Sequence, residues 1–408
     1  MYKTNESLDM LNNNIESESP VLSKVLPWIQ WLHIYAFIPG VTLGYVVIVV
    51  LDVIYLIAWL GDNRKVTIDK SSNTTLFLFF VVVLLTLPIS LLISDSVLPV
   101  NILNRILKLI TLYLLITVSC SRINYNDYMK SLRLLTYIAA AILFIQFFQK
   151  TFLGSYSSFK LPFLEYASDS TEAKLSGINT GSRFRSIFTE PSHYIYFVFQ
   201  YQVALLFGGK VHLKEILIAA GLSVSVILSG SSTGLIFLAI VWTVYAFDLV
   251  RKEGLSTNKI VLIAFLVILL YAAIVWIMNN ETLYNAVYRL TGDYERSNVV
   301  WKRIYACWDD YLNMTTIQKI FGLGMGNIPK EFMNSFIYLL RSVGIVGTCI
   351  IIVWMTKLFC ESNKCGRVAV VLLVLLSAID MVLFTPTVLG YMIIINHNKK
   401  CDGEYSIV

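Results

Sequence analysis

Apolar residues run almost unbroken at 75–94, 101–119, 133–152, 192–208, 213–229, 232–250, 259–278 and 336–359. Each run matches the roughly 17 to 25 residues that an α-helix needs to cross about 30 Å of hydrocarbon. The stretch 21–60 is too long for one span and contains Pro39-Gly40, a turn signal, so it predicts a hairpin of two helices. The run 367–396 is interrupted at Thr385-Pro386 and predicts two short helices. The fold class expected is an all-α polytopic integral membrane protein with about eleven or twelve transmembrane helices.

Composition removes the main alternative. The 408 residues are 57% hydrophobic and only 14% charged, against roughly 25% charged in a soluble domain, and the mean hydropathy is +0.69. A water-solvated globule is excluded on these values. The formal charge of +6 implies no nucleic-acid partner, because basic residues of membrane chains gather at the cytoplasmic face. Residues 1–20 hold Glu6, Asp9, Glu16 and Glu18 among Asn and Ser, without the basic start and apolar stretch of a cleaved signal peptide. The six cysteines form no CxxC pair or Cys/His cluster, so neither a disulfide framework nor a structural metal is expected.

Basic residues predict orientation. Five short connections carry Arg64, Lys65 and Lys70; Arg122, Lys130 and Arg133; Lys210 and Lys214; Arg251, Lys252 and Lys259; and Lys357, Lys364 and Arg367. The alternate connections 95–100, 230–231 and 384–386 carry none. The positive-inside rule then puts the first set in the cytoplasm and the long loops 153–191 and 279–335 outside. The resulting organisation is a polar cytoplasmic tail at 1–20, one transmembrane domain at 21–396 and a cytoplasmic tail at 397–408. Arg105, Lys108 and Lys150 fall toward outer span ends, where they must snorkel or line a cavity. No internal repeat relates the two halves, which counts against a secondary transporter.

The first long loop ends in Arg183-Phe184-Arg185-Ser186-Ile187-Phe188-Thr189-Glu190-Pro191-Ser192-His193 and runs straight into an apolar helix. Pro191 suits the first helical position, so amide groups and a positive dipole end face the outer surface. That geometry binds anions. Arg183 and Arg185 add planar phosphate donors, and Glu190 and His193 supply a carboxylate and an imidazole within one turn. A capped helix whose arginines meet lipid phosphates fits the same residues.

In the second loop Trp301, Tyr305 and Trp308 recur at helical spacing and form one aromatic face. Such a face either packs as an interfacial belt or covers sugar rings while Arg289 and Arg303 bind phosphate. Gly322, Gly324 and Gly326 form no dinucleotide fingerprint, since no βαβ unit surrounds them, and read as a flexible turn. Asp52 and Asp380 lie in apolar runs, where an unpaired carboxylate is by default a functional candidate, but both fall in short hairpin helices, which favours a structural role. His33 and His397 read as surface groups.

The order of the motifs adds a family. An Arg-x-x-Ser-x-Phe-x-Glu-Pro opening a span is followed by Ser229-Gly230-Ser231-Ser232-Thr233-Gly234 and by Arg303 in an outer loop. Phe321-Gly322-Leu323-Gly324-Met325-Gly326-Asn327 comes next, and then Asn334 to Gly347 with Gly344. This order resembles the bacterial O-antigen polymerase (Wzy type) and O-antigen ligase superfamily, by motif over about residues 180–350 and elsewhere by span pattern only. The resemblance implies a metal-independent, GT-C-like membrane glycosyltransferase without a cofactor, in the bacterial cytoplasmic membrane with its active site on the periplasmic side. Its substrate is undecaprenyl-diphosphate-linked oligosaccharide, and a chain-length regulator and a flippase are possible partners. The growing glycan would leave its diphosphate for the non-reducing sugar of a new lipid-linked repeat. Glu190, Arg183 and Arg303 are the catalytic candidates. Arg185, His193, Arg289, Trp301, Tyr305, Trp308 and Asn334 are the substrate-binding ones. Ligases of the superfamily show a His-Asn pair where this chain has Met333-Asn334, which favours a polymerase over a ligase. A flippase for lipid-linked oligosaccharide is the rival from another class, but its cations belong along a path within the membrane rather than in outer loops.

Overall fold

The computed structural model describes residues 50, 70–93, 106, 107, 109, 110, 113, 116, 125–155, 159, 184–209, 211–253, 308–325, 333–385 and 387–399. The expected hairpin within 21–60, the span 259–278 and both tails lie outside or almost outside these residues. The described part is helical, without a β-strand; one isolated bridge pairs Ser362 with Lys399. The helices are α1 (Lys70–Ile93), α2 (Tyr125–Leu153), α3 (Pro191–Phe207), α4 (Leu213–Leu228), α5 (Ser232–Glu253), α6 (Thr316–Phe321), α7 (Ser335–Glu361), α8 (Lys364–Ile379) and α9 (Thr387–His397). Among the described residues α2, α5 and α7 are long and apolar enough to cross a membrane.

Boundaries follow local chemistry. Pro191 opens α3, where its missing N–H removes nothing the helix would use. The Asn334 and Asn363 side chains accept from the amides of Ile337 and Gly366 to cap α7 and α8. The break between α8 and α9 is wider than Thr385-Pro386. Helix α8 ends at Ile379, Asp380 is extended, and a 3₁₀ turn spans Val382–Phe384. Lys150 caps its own helix by donating to the Gly154 carbonyl at 3.0 Å.

Helix α3 is the hub, packed against α2, α4, α5, α8 and α9. Tyr194, Ile195, Val198, Phe199 and Val203 all have 0% exposure, as expected of a helix that is apolar all round. Polar side chains lie among the apolar ones inside the bundle, and many large apolar side chains face outward. Gln146, Gln200, Gln202, Ser223 and Ser225 are buried, whereas Leu217, Phe247, Ile352 and Val353 are exposed. Gln202 donates to Ser223 Oγ at 2.9 Å, as does Trp242 Nε1, and Tyr128 donates to Gln200 Oε1 at 3.0 Å. Polar side chains that bind helices to one another, under an apolar exterior, are the pattern of membrane helices.

Helix ends gather at two faces. At one, Tyr125 stacks on His397 with centroids 3.7 Å apart, Lys364 pairs with Asp248, and the Asn363 amide donates to the Asn398 carbonyl at 2.7 Å. At the other lie residues 184–190, the start of α7 and the end of α8.

Candidate functional site

The turn before α3 is built into the bundle rather than laid on its surface. Ser186 has φ 57°, a conformation unusual outside glycine, and its backbone is held from both sides by one amide side chain. Gln146 Oε1 accepts from the Ser186 N–H at 2.9 Å and Gln146 Nε2 donates to the Ser186 carbonyl at 3.1 Å. The Ser186 hydroxyl donates to the Ala139 carbonyl at 2.6 Å. Gln146 and Ala139 precede the end of α2 at Leu153 by seven and fourteen residues, about 10 and 21 Å at 1.5 Å per residue. The start of α3 therefore lies below the end of α2, beside its middle turns. Phe184 to Thr189 are all buried, so this irregular backbone is enclosed by protein and must satisfy its polar groups there.

This turn collects three of the candidate residues. Arg185 is 6% exposed and its NH1 lies 3.4 Å from the Thr189 carbonyl. Glu190 is the N-cap residue, but its side chain accepts no cap bond; its Oε2 accepts from Ser192 Oγ at 3.1 Å. The half-buried carboxylate sits at the positive end of the α3 dipole. His193 shares a 2.6 Å hydrogen bond between Nδ1 and Thr189 Oγ1, which fixes its ring one turn into the helix. Guanidinium, carboxylate and imidazole thus lie within nine residues of a rigid turn.

A second set of bonds ties α3 to the start of α7. Tyr196 donates to Asp380 Oδ2 at 2.6 Å, and the Met381 amide donates to Asp380 Oδ1 at 2.8 Å. The Asp380 carbonyl accepts from both the amide and the hydroxyl of Ser335, at 3.1 and 2.7 Å. Asp380 therefore links three helices, the structural role expected from its place in a short hairpin helix. Tyr196 carried no sequence signal of its own.

Asn334 is 3% exposed, and its side-chain oxygen accepts from the Ile337 amide at 2.8 Å. That bond makes it the cap of α7. Trp308 is 37% exposed and its ring lies 5.5 Å from that of Tyr311. Arg183, Arg289, Trp301, Arg303 and Tyr305 lie outside the described residues.

The glycine-rich turn is a clip, not a flexible linker. Helix α7 is kinked at Gly344, with φ 64° and ψ −167°, so the carbonyls of the preceding turn lose their helical donors. The amides of Leu323 and Gly324 replace them, donating to the carbonyls of Arg341 and Ser342 at 2.8 and 2.9 Å. Sequence reasoning passed over Arg341, whose 6% exposed side chain pairs with Asp310 at 3.1 Å.

Among the described residues no three His, Cys, Asp or Glu side chains gather to hold a metal ion. No protein-family model matches this chain, and no curated protein is a significant match to it.

Proposed function

We propose that this chain is a membrane glycosyltransferase that polymerises undecaprenyl-diphosphate-linked oligosaccharide repeats. It moves the growing glycan from its lipid diphosphate to the non-reducing end of a new lipid-linked repeat, on the periplasmic side of the bacterial cytoplasmic membrane. The observation that carries the reading is the buried turn Arg185–His193, which holds a cation, a carboxylate and an imidazole at the positive end of a helix inside an apolar bundle. The ordered motifs described above support it from the sequence side.

The chemistry asks for this arrangement. Departure of the diphosphate concentrates negative charge on its oxygens, and preorganised guanidinium groups in a poorly hydrated site lower that barrier more than they tighten ground-state binding. Arg183 and Arg303 are assigned to the diphosphate, supported by Arg185 and Arg289. Glu190 takes the proton of the acceptor hydroxyl or aligns an arginine. Trp301, Tyr305 and Trp308 offer planar faces to sugar rings, and Asn334 holds the start of α7 as its cap. Both long loops are extracytoplasmic in this scheme, with eleven or twelve spans in all.

The lipid-linked glycans of a deletion strain test the assignment. A lost polymerase leaves single capped repeats. Unligated long chains point instead to a ligase, and repeats stranded on the inner leaflet to a flippase.

A further inference from the structure

Arg341 is a cation where an apolar helix ordinarily carries none. It follows Ser335, the first residue of α7, by six residues, about 9 Å along the axis at 1.5 Å per residue. Its NH1 meets Asp310 Oδ2 at 3.1 Å and Met333 Sδ at 3.7 Å. The two partners are unequal: the arginine side chain is 6% exposed and that of the aspartate 47%. A guanidinium in apolar surroundings requires an anion beside it. A half-exposed carboxylate gives one up at little cost, because water replaces the lost contact. The cation is fixed and its anion is exchangeable.

The ion pair is not the sole hold on this part of the fold. Asn334 caps α7, Ser335 bonds Asp380, and the amides of Leu323 and Gly324 already seat the loop on the kinked helix. The start of the same helix is tied to the candidate site, since Ser335 bonds Asp380 and Asp380 accepts from Tyr196, one turn into α3 beyond His193.

We propose that Arg341 is a fixed cationic contact for the lipid-linked diphosphate, with Asp310 as a placeholder that the diphosphate displaces. This rests on the reading of a diphosphate-linked substrate given above. A diphosphate carries more charge and more acceptor oxygens than one carboxylate, and its oxygens match the planar guanidinium fork. Exchange therefore favours the substrate, while Asp310 returns to water. In the absence of substrate Asp310 keeps the buried guanidinium compensated. No covalent bond is made or broken by either residue.

The test titrates the purified full chain in nanodiscs with farnesyl diphosphate, farnesyl monophosphate and inorganic pyrophosphate, following tryptophan fluorescence and the thermal midpoint. Arg341→Gln is expected to weaken farnesyl diphosphate binding by about tenfold or more, and Arg341→Lys by less. Asp310→Asn is expected to tighten it by about two- to fivefold, by removing the competing charge. Variants that bind as the wild type does while melting at lower temperature would reduce the pair to a structural one and overturn the proposal. Asp310→Asn weakening binding as much as Arg341→Gln would overturn it too, since Asp310 would then be holding the arginine in place. If Arg341→Gln does not fold, Arg341→Lys and Asp310→Asn decide alone. A wild type that binds farnesyl diphosphate through Arg341 yet joins no repeats keeps this site and removes the polymerase. One that joins repeats while Arg341→Gln binds normally keeps the polymerase and removes this site.

Discussion

Gly322 and Gly344 each press against backbone beside the other: a Cβ on Gly322 would overlap the Ser342 carbonyl, and one on Gly344 would overlap the Ile320 carbonyl. Both also have positive φ, 82° and 64°. The second long loop is thereby locked to the break in α7 at the level of Arg341, just as the first is locked to α2 through Ser186. Two segments that the residue pattern places in loops are thus fastened to helices of the bundle, one to α2 and one to the break in α7.

Alanine at either glycine should be strongly destabilising. Both combine positive φ with ψ near 180°, a region essentially reserved for glycine that costs about 1 to 3 kcal/mol for a residue with a side chain, and the backbone overlap adds to that. Gly221 is the control, because a Cβ there meets nothing within 4 Å. Gly221→Ala lies inside α4 and should be neutral or stabilising by up to about 1 kcal/mol. Thermal midpoints of the three purified variants check this, and equal midpoints for all three would contradict the clip.

Gln146 should be needed for its amide rather than its size. Gln146→Leu leaves the amide and carbonyl of Ser186 buried without that partner, at about 1 to 3 kcal/mol for each group. Gln146→Glu keeps an acceptor for the Ser186 N–H but, when ionised, loses the donor to its carbonyl, so it should fall between wild type and leucine. Limited proteolysis around residues 184–190, compared across the three proteins, reads out the order.

The positions of these devices explain what was legible in the residues and what was not. Helix extents at 191–207, 213–228 and 335–361 follow the apolar runs closely, because burial in lipid or bundle acts on long stretches and leaves a long signal. The depth of the Arg185–His193 turn leaves none. It depends on Gln146 and Ala139, some forty residues away in the chain, and on a Ser186 conformation that no local rule assigns to serine. Arg341 is a charge in an apolar run that sequence reasoning passed over, and its partner Asp310 sits in a different segment, so only the folded chain pairs them. The glycines of 322–324 were legible as a turn. Their purpose, donating to the orphaned carbonyls of a kinked helix, depends on the kink at Gly344.

Topology gives a prediction independent of chemistry. In a cysteine-free background, a cysteine at the exposed Asn313 should react with an impermeant thiol reagent in intact spheroplasts. One at the exposed Arg251 should react only after lysis, because α5 ends at the opposite face. Protection of Asn313→Cys until lysis would reverse the assigned orientation.

Glu190 can be assigned as base or as aligning group by substitution. Glu190→Gln keeps an acceptor for the Ser192 hydroxyl but cannot take a proton. Loss of polymerisation by much more than tenfold between about pH 6 and pH 9 fits a base. A loss below about tenfold leaves only the positioning role, and wild-type activity in Glu190→Ala removes both.

The assigned reaction is tested most directly by incubating the purified protein with a single lipid-linked repeat unit and resolving the products by length. Polymerisation yields a ladder spaced by one repeat, with undecaprenyl diphosphate released at each step. Arg303→Ala, expressed at the same level, should slow it by about two orders of magnitude or more. A wild type that is folded and membrane-inserted but leaves the repeat unit unextended would contradict the polymerase assignment. A normal ladder from Arg303→Ala would contradict the diphosphate role given to that arginine.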